Sequence, residues 1–401
     1  MTTLALPRPS WLAVRSPDAW LAAAAFAAFS LAVLVRHTAL IEPDDLAYRA
    51  SILALVHGHL TLSTAEYDRL TQVAQWVQLP NGRWISEKNP GYPFFAAPFQ
   101  LVGLLRLAPL VYGALGCIGL YAGGRRFAGR TGGLWAVLLY LGTGSALVFA
   151  WRATMPTFTD ASLVAGGTGA LLWTFLADDA SPRRRALVGL AAFASLEAAT
   201  SMRYTDGIVL LVAVAAALVV RAPGWRWHLL SVGAFAALVA TFDKVVYGGF
   251  AKTGYASGEI TFSTGAIVPN LEHMPRHLLL AMPTIALAAA AVVWIALRRV
   301  RREVLAGAFL AACWAGVFAL YLAYDWTVRM SQGDATVHVV RFYAPALGAV
   351  ALLAGWLVRR LRAWTPLVVL AAVVAFAAVS YPELATGGLG GPPPGGAMLG
   401  R

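Results

Sequence analysis

Long apolar runs recur along this chain, many of them close to twenty residues, separated by short charged turns. A bilayer core about 30 Å thick takes roughly 20 apolar residues per helix. Backbone amides in lipid have no water to pair with, so a spanning segment is either a helix or part of a closed barrel. The apolar residues here are continuous rather than alternating, which excludes the barrel. Composition agrees. Of 401 residues, 59% are hydrophobic and 12% are charged, where a soluble domain carries about a quarter charged. The expected fold is all-α: a polytopic integral membrane protein of about 11 transmembrane helices, near 19–41, 107–124, 132–150, 161–177, 186–202, 204–220, 229–246, 277–297, 304–324, 343–358 and 363–380. The first run is followed by Arg36, His37 and Thr38 rather than a small-residue cleavage site, so it reads as a retained span. Residues 1–381 read as one transmembrane domain and the tail 382–401, rich in Gly and Pro, as disordered. Cys117 and Cys313 both lie in apolar runs and say nothing about disulfides or redox compartment.

A net charge of +12 invites a nucleic-acid reading. Its distribution points elsewhere. Every second turn is short and rich in Arg: Arg125, Arg126 and Arg130; Arg183, Arg184 and Arg185; Arg221 and Arg226; Arg298, Arg299, Arg301 and Arg302; Arg359, Arg360 and Arg362. Positive turns face the cytoplasm, which puts the N-terminus there too and makes membrane lipids, not nucleic acid, the partner. Only Asp18, Asp178, Asp179 and Glu303 share that face; the other fifteen of nineteen acids lie outside or at outer span ends. Titratable chemistry is therefore expected on the non-cytoplasmic face. The segment 93–105 is too short to span and is placed at the outer surface, ahead of the span that starts at 107.

The first outer loop, 42–106, is the most informative. Pro43 suits the first position of a helix running to His57 and closed by Gly58, with Asp44 and Asp45 in its first turn and Tyr48 one turn on. The acids could serve only the helix dipole, or one of them could be a general base. Ser63-Thr64-Ala65-Glu66 is a capping box; the helix it opens would carry Leu70, Val73, Trp76 and Val77 along the membrane surface. Pro80-Asn81-Gly82 is a turn. Glu87-Lys88-Asn89-Pro90-Gly91-Tyr92-Pro93 sets the only lysine of the first 243 residues in a rigid loop before a helix N-terminus, which suits a phosphate; the alternative is a lysine snorkelling at the interface. Asp160 opens the fourth span, and Arg203 with Asp206 reads as a structural pair. Arg152 lies in the segment that opens the fourth span, and Arg341, just before a span, could clamp a phosphate or hold lipid headgroups. No metal-ligand spacing or nucleotide loop occurs, which argues against direct use of a nucleotide-sugar or ATP.

Asp44-Asp45-Leu46-Ala47-Tyr48, Lys88-Asn89-Pro90-Gly91, Thr159-Asp160 and Arg341-Phe342-Tyr343 with Pro345, in that order, resemble the motifs of GT-C glycosyltransferases, in the branch of bacterial glycosyltransferase family 39 and the aminoarabinose transferases. The resemblance covers roughly 1–180 and, more loosely, 325–346. The chain departs from it in Asp45, where Glu is frequent, and in carrying no large C-terminal outer domain. It implies inverting transfer of a sugar from a polyprenyl-phosphate donor to a lipid, glycan or protein acceptor, in a bacterial plasma membrane. Asp44 or Asp45 would be the base, Lys88, Arg152 and Arg341 would hold the donor phosphate, and Tyr48, Glu87, Tyr92, Asp160 and Tyr343 would line the substrate. No cofactor is required by this chemistry, although a carboxylate and a phosphate could share a divalent metal. The competing class is a transporter or lipid flippase, but such proteins carry polar groups on broken helices at the membrane midplane, often in repeats. Here the middles of the spans are nearly free of charge and no repeat is seen.

Overall fold

A computed structural model describes residues 16–35, 43–69, 75–250, 252–255, 260–332, 336–362 and 364–386, with side chains through Tyr381. Leu70, Val73, the acids Glu42, Glu259 and Asp334, the Glu383 side chain and the tail from 387 lie outside the described residues. In chain order the elements are α1 (Pro17–Leu34), α2 (Pro43–Val56), α3 (Thr64–Arg69), β1 (Trp76–Gln78), β2 (Trp84–Ser86), α4 (Gly91–Leu101), α5 (Ala108–Ala128), α6 (Gly132–Leu141), α7 (Gly144–Trp151), α8 (Thr157–Leu176), α9 (Pro182–Met202), α10 (Gly207–Val219), α11 (Trp225–Tyr247), α12 (Ile267–Ala281), α13 (Thr284–Arg298), α14 (Arg301–Leu322), α15 (Asp325–Ser331), α16 (Thr336–Val340), α17 (Leu347–Val358) and α18 (Thr365–Thr386).

Each of the eleven expected spans falls on a helix, but they are not eleven straight crossings. Among the described residues four helices are long and apolar enough to cross a membrane, or up to six if each of two bent pairs is one span. The expected span 132–150 is bent by 61° between α6 and α7. Thr143 leaves the helix with an extended backbone and its hydroxyl accepts from Ala146 N to start the next one. The expected span 277–297 is split between α12 and α13, which meet at 104°. Pro283 has no amide hydrogen to continue the ladder, and Met282 has already turned out of helical geometry.

The centre of the bundle is built on glycine. A Cβ at Gly119 would lie 2.3 Å from the Gly166 carbonyl oxygen, and one at Gly169 would lie 2.3 Å from that of Gly119, so α5 and α8 touch backbone to backbone. Small residues allow this closeness where lipid supplies no hydrophobic drive between helices. Every residue of α17 is buried, whereas α11 buries only His228 and Asp243 and presents the rest of its apolar surface outward.

The Arg-rich turns gather at one end. Asp179 pairs with Arg126 at 2.8 Å, Asp18 with Arg130 at 3.1 Å and Glu303 with Arg360 at 2.5 Å, while Asp178 lies 3.8 Å from both Arg185 and Arg302. The four acids assigned to the Arg-rich face are thus all held by its arginines.

The first loop follows its local signals with one exception. α2 begins at Pro43, and Gly58 takes φ +79° just past its end. The capping box forms, with Ser63 N donating to Glu66 Oε2 at 2.7 Å and Glu66 N to Ser63 Oγ at 3.3 Å. The helix it opens is short, however. Trp76 and Val77 belong to β1, which pairs antiparallel with β2 around the 79–83 turn. This hairpin corrects the all-α expectation and the surface helix expected to carry those residues. Trp76 is buried against α2 with Ala47, Ala50 and Ala54, and Tyr67 stacks on Trp84 at 4.0 Å. Cross-strand and aromatic packing thus outweighs the helical spacing of Trp76 and Val77.

Candidate active site

α2 carries two carboxylates into two different surroundings. Successive helical residues point about 100° apart, so Asp44 and Asp45 face in different directions. Asp45 is fully buried. Its Oδ2 accepts from Arg152 Nη2 at 2.5 Å and its Oδ1 from the Thr154 hydroxyl at 2.9 Å. Asp44 retains some exposure and faces two cations. Arg341 Nη1 lies 2.7 Å from Oδ2, and Lys88 Nζ lies 3.2 Å from Oδ1.

The loop between β2 and α4 aims Lys88. Its backbone N donates to Ser86 Oγ at 3.2 Å, while its ammonium reaches Glu87 at 3.0 Å and the Tyr255 hydroxyl at 3.3 Å. Pro90 and Gly91 fix the exit, and Gly91 sits so close to Ser201 at the end of α9 that any side chain would collide with its backbone. Burial disfavours the lysine's charge, but Asp44, then Tyr48 and Glu87, more than offset this and hold its pKa above the ordinary lysine range.

Arg341 enters from the turn after α16. Its guanidinium packs over the rings of Trp326 and Phe342 at 5.4 and 4.9 Å. Arg203, after α9, donates from Nη1 to the Arg341 carbonyl at 2.6 Å and from Nη2 to Thr157 at 2.9 Å, and its Nε lies 3.6 Å from Asp160. The expected pairing of Arg203 with Asp206 is thus replaced by one with Asp160, beside which Asp206 is also buried.

Of the residues singled out in the sequence, Asp44, Glu87, Lys88 and Arg341 meet at one point. Tyr48 is buried next to them and lies edge-to-face with Tyr92 at 5.8 Å; the Tyr92 hydroxyl donates to Ala153 O at 2.5 Å. Asp45 and Arg152 form the layer behind, and Asp160 lies behind that with Arg203. Tyr343 points away, its ring against Phe318 at 5.0 Å. Tyr255, Thr154 and the bridging role of Arg203 carry no pattern in the sequence. Among the described residues no group of three or more His, Cys, Asp or Glu is placed to hold a metal.

No family model matches the sequence, and no curated protein matches it. Solved structures do match the fold. ArnT from Cupriavidus metallidurans, in a structure bound to undecaprenyl phosphate, aligns over 93% of this chain and 78% of its own with a TM-score of 0.58 and 16% identity. The oligosaccharyltransferase of Archaeoglobus fulgidus aligns over 92% of this chain with a TM-score of 0.54 and 11% identity. Its complex with an inhibitory peptide and a dolichol-phosphate, in which it is called AglB, aligns at 0.53 and 11%. The chain spans 56% of the length of the archaeal protein. The chain thus shares the fold of these solved structures over more than nine-tenths of its length.

Proposed function

We propose that the chain is a membrane glycosyltransferase that moves a sugar from a polyprenyl-phosphate-linked donor to an acceptor hydroxyl on a lipid, glycan or protein, with inversion. One observation carries the reading: a carboxylate from α2, a lysine from the 87–90 loop and an arginine 297 residues from Asp44 meet at the end of the bundle away from the Arg-rich turns. In the transfer the acceptor oxygen attacks the anomeric carbon, the bond from that carbon to the phosphate oxygen breaks, and polyprenyl phosphate leaves with one more negative charge. Lys88 and Arg341 are placed to stabilise that charge. Asp44 is assigned the acceptor proton, because it alone of the two carboxylates has exposure and lies at the cations. Asp45 and Arg152 are assigned a positioning role, since both are fully buried and paired with each other.

ArnT has been captured with undecaprenyl phosphate and the archaeal protein with a dolichol-phosphate; a carrier of that class is the proposed donor. The site is assigned to the non-cytoplasmic side of a bacterial plasma membrane, because the Arg-rich turns gather at the opposite end. No cofactor enters the proposed step. The test is purified protein in lipid discs, given a radiolabelled polyprenyl-phosphate sugar and followed for release of the carrier phosphate. Release by the wild type and its loss in Asp44→Asn and Lys88→Ala, with folding intact, support the reading. Full release in both variants overturns it.

A further inference from the structure

A cavity of the described chain lies away from Lys88. It lies across α2 from it, encloses about 310 Å³, and is lined by Arg49, Ile52, Leu53, Gln100, Leu105, Arg106, Ala153 and Thr154. Helical geometry explains the separation. Asp45, Arg49 and Ile52 form one stripe of α2, while Asp44, Ser51 and Leu55 form another, and Ser51 and Leu55 share a small cavity with Lys88.

The charged residues that line this cavity are cationic, and no carboxylate is among them. Arg106 is fixed in place, donating from Nη2 to the Leu34 carbonyl at 2.8 Å where α1 ends. Arg49 is exposed, and Gln100 adds an amide. The rim is apolar: Leu101, Val102 and Leu104 are 65%, 67% and 49% exposed directly beside Gln100 and Leu105. Exposed apolar residues flanking a paired-arginine cavity at a membrane boundary match a ligand with an anionic head and a hydrocarbon tail.

We propose that this cavity binds the phosphate headgroup of an anionic lipid, separately from any ligand at Lys88. Arg49 and Arg106 hold the phosphate, Gln100 donates to it, and the lipid chain runs over Leu101 to Leu104. The assignment does not depend on glycosyl transfer. It does place an anion beside Thr154, whose hydroxyl holds Asp45.

The test uses the full chain in phosphatidylcholine discs doped with phosphatidylglycerol, with retained lipid counted by native mass spectrometry. Wild type is expected to retain phosphatidylglycerol over phosphatidylcholine. Arg49→Gln, at an exposed position that does not threaten folding, should weaken that retention about tenfold, or about 1.4 kcal/mol, and Arg49→Gln with Arg106→Gln should abolish it. Lys88→Ala should leave it intact. Equal retention by wild type and Arg49→Gln overturns the site, as does loss in Lys88→Ala alone. In a second arm, phenylglyoxal labelling of Arg49 is measured with phosphatidylglycerol vesicles or inorganic phosphate. Protection by the vesicles only supports a lipid ligand; equal protection by inorganic phosphate overturns it.

Discussion

Arg152 and Asp45 form a fully buried ion pair at 2.5 Å, one helical residue away from the carboxylate that faces Lys88. The two adjacent acids therefore fail in different ways. Removing one partner of a buried pair leaves the other charge uncompensated, at a cost of about 3–5 kcal/mol. Arg152→Ala is expected to lower thermal stability by that order, and Asp45→Asn to lower it less. Asp44→Asn, at a position 13% exposed, should lower the melting temperature less than Arg152→Ala does and reduce turnover by about 10²–10⁴-fold. Thermal unfolding in detergent, set beside single-turnover rates, checks the split; a large stability loss in Asp44→Asn with normal stability in Arg152→Ala would reverse the assignment.

Lys88 gives a pH prediction of definite sign. Its pKa is raised by Asp44, Tyr48 and Glu87 against the opposing effect of burial. A raised folded pKa means that the cation's contribution is fully present below the ordinary lysine value and is lost only as pH climbs through the higher folded one. Activity should show no limb from Lys88 between about pH 7 and about pH 10. An alkaline limb well below pH 10 that disappears in Lys88→Arg would contradict this.

Arg203 holds the Arg341 main chain and Asp160 together. Lysine keeps the charge but not the planar fork. Arg203→Lys is therefore expected to raise KM for the donor several-fold with a smaller change in kcat, the pattern of a displaced binding cation. An unchanged KM would separate Arg203 from the site.

The α5–α8 contact predicts a steric failure. Leu at Gly119 would drive its Cβ into the Gly166 carbonyl. Overpacking costs about 1–3 kcal/mol even where side chains can shift, and here the obstacle is backbone. Gly119→Leu should yield little monodisperse protein on size exclusion, whereas Gly119→Ala should be recovered in reduced amount.

Transfer by the proposed step draws its cations from Lys88 and Arg341, so chelation with EDTA should change the rate less than about twofold, well under the tenfold that 1.4 kcal/mol represents. A collapse of activity restored by added Mg²⁺ would show that a metal supplies part of the charge.

The sequence was most readable where the cause is local. Apolar runs, the Pro43 start, the capping box at Ser63 and Glu66 and the turn near Gly82 depend on neighbours within a few residues, and each stands in the structure. Asp44, Lys88 and Arg341 were legible as candidates because each is a charged residue close to a helix end. The hairpin was not, since Trp76 and Val77 fit a helical stripe as well as a strand until Ser86 and Ile85 pair with them. Tyr255 was not either, because no periodicity ties a loop residue to a lysine 167 positions away. Nor was Arg203's grip on Arg341 across 138 residues.

Arg341 leads directly into α17, the helix buried on every side. By contrast, Asp44 and Lys88 sit on the loop between the first two long helices, whose hairpin packs chiefly on α2. The two halves of the cation pair thus belong to parts of the chain with different freedom to change. The exposed turn at 79–83 could be exchanged without touching Ser86, which anchors Lys88, while the turn at 341–346 remains a fixed datum. Sequence diversity is tolerated at the tip of the hairpin, and the same diversity placed around α17 should yield mostly chains that do not assemble.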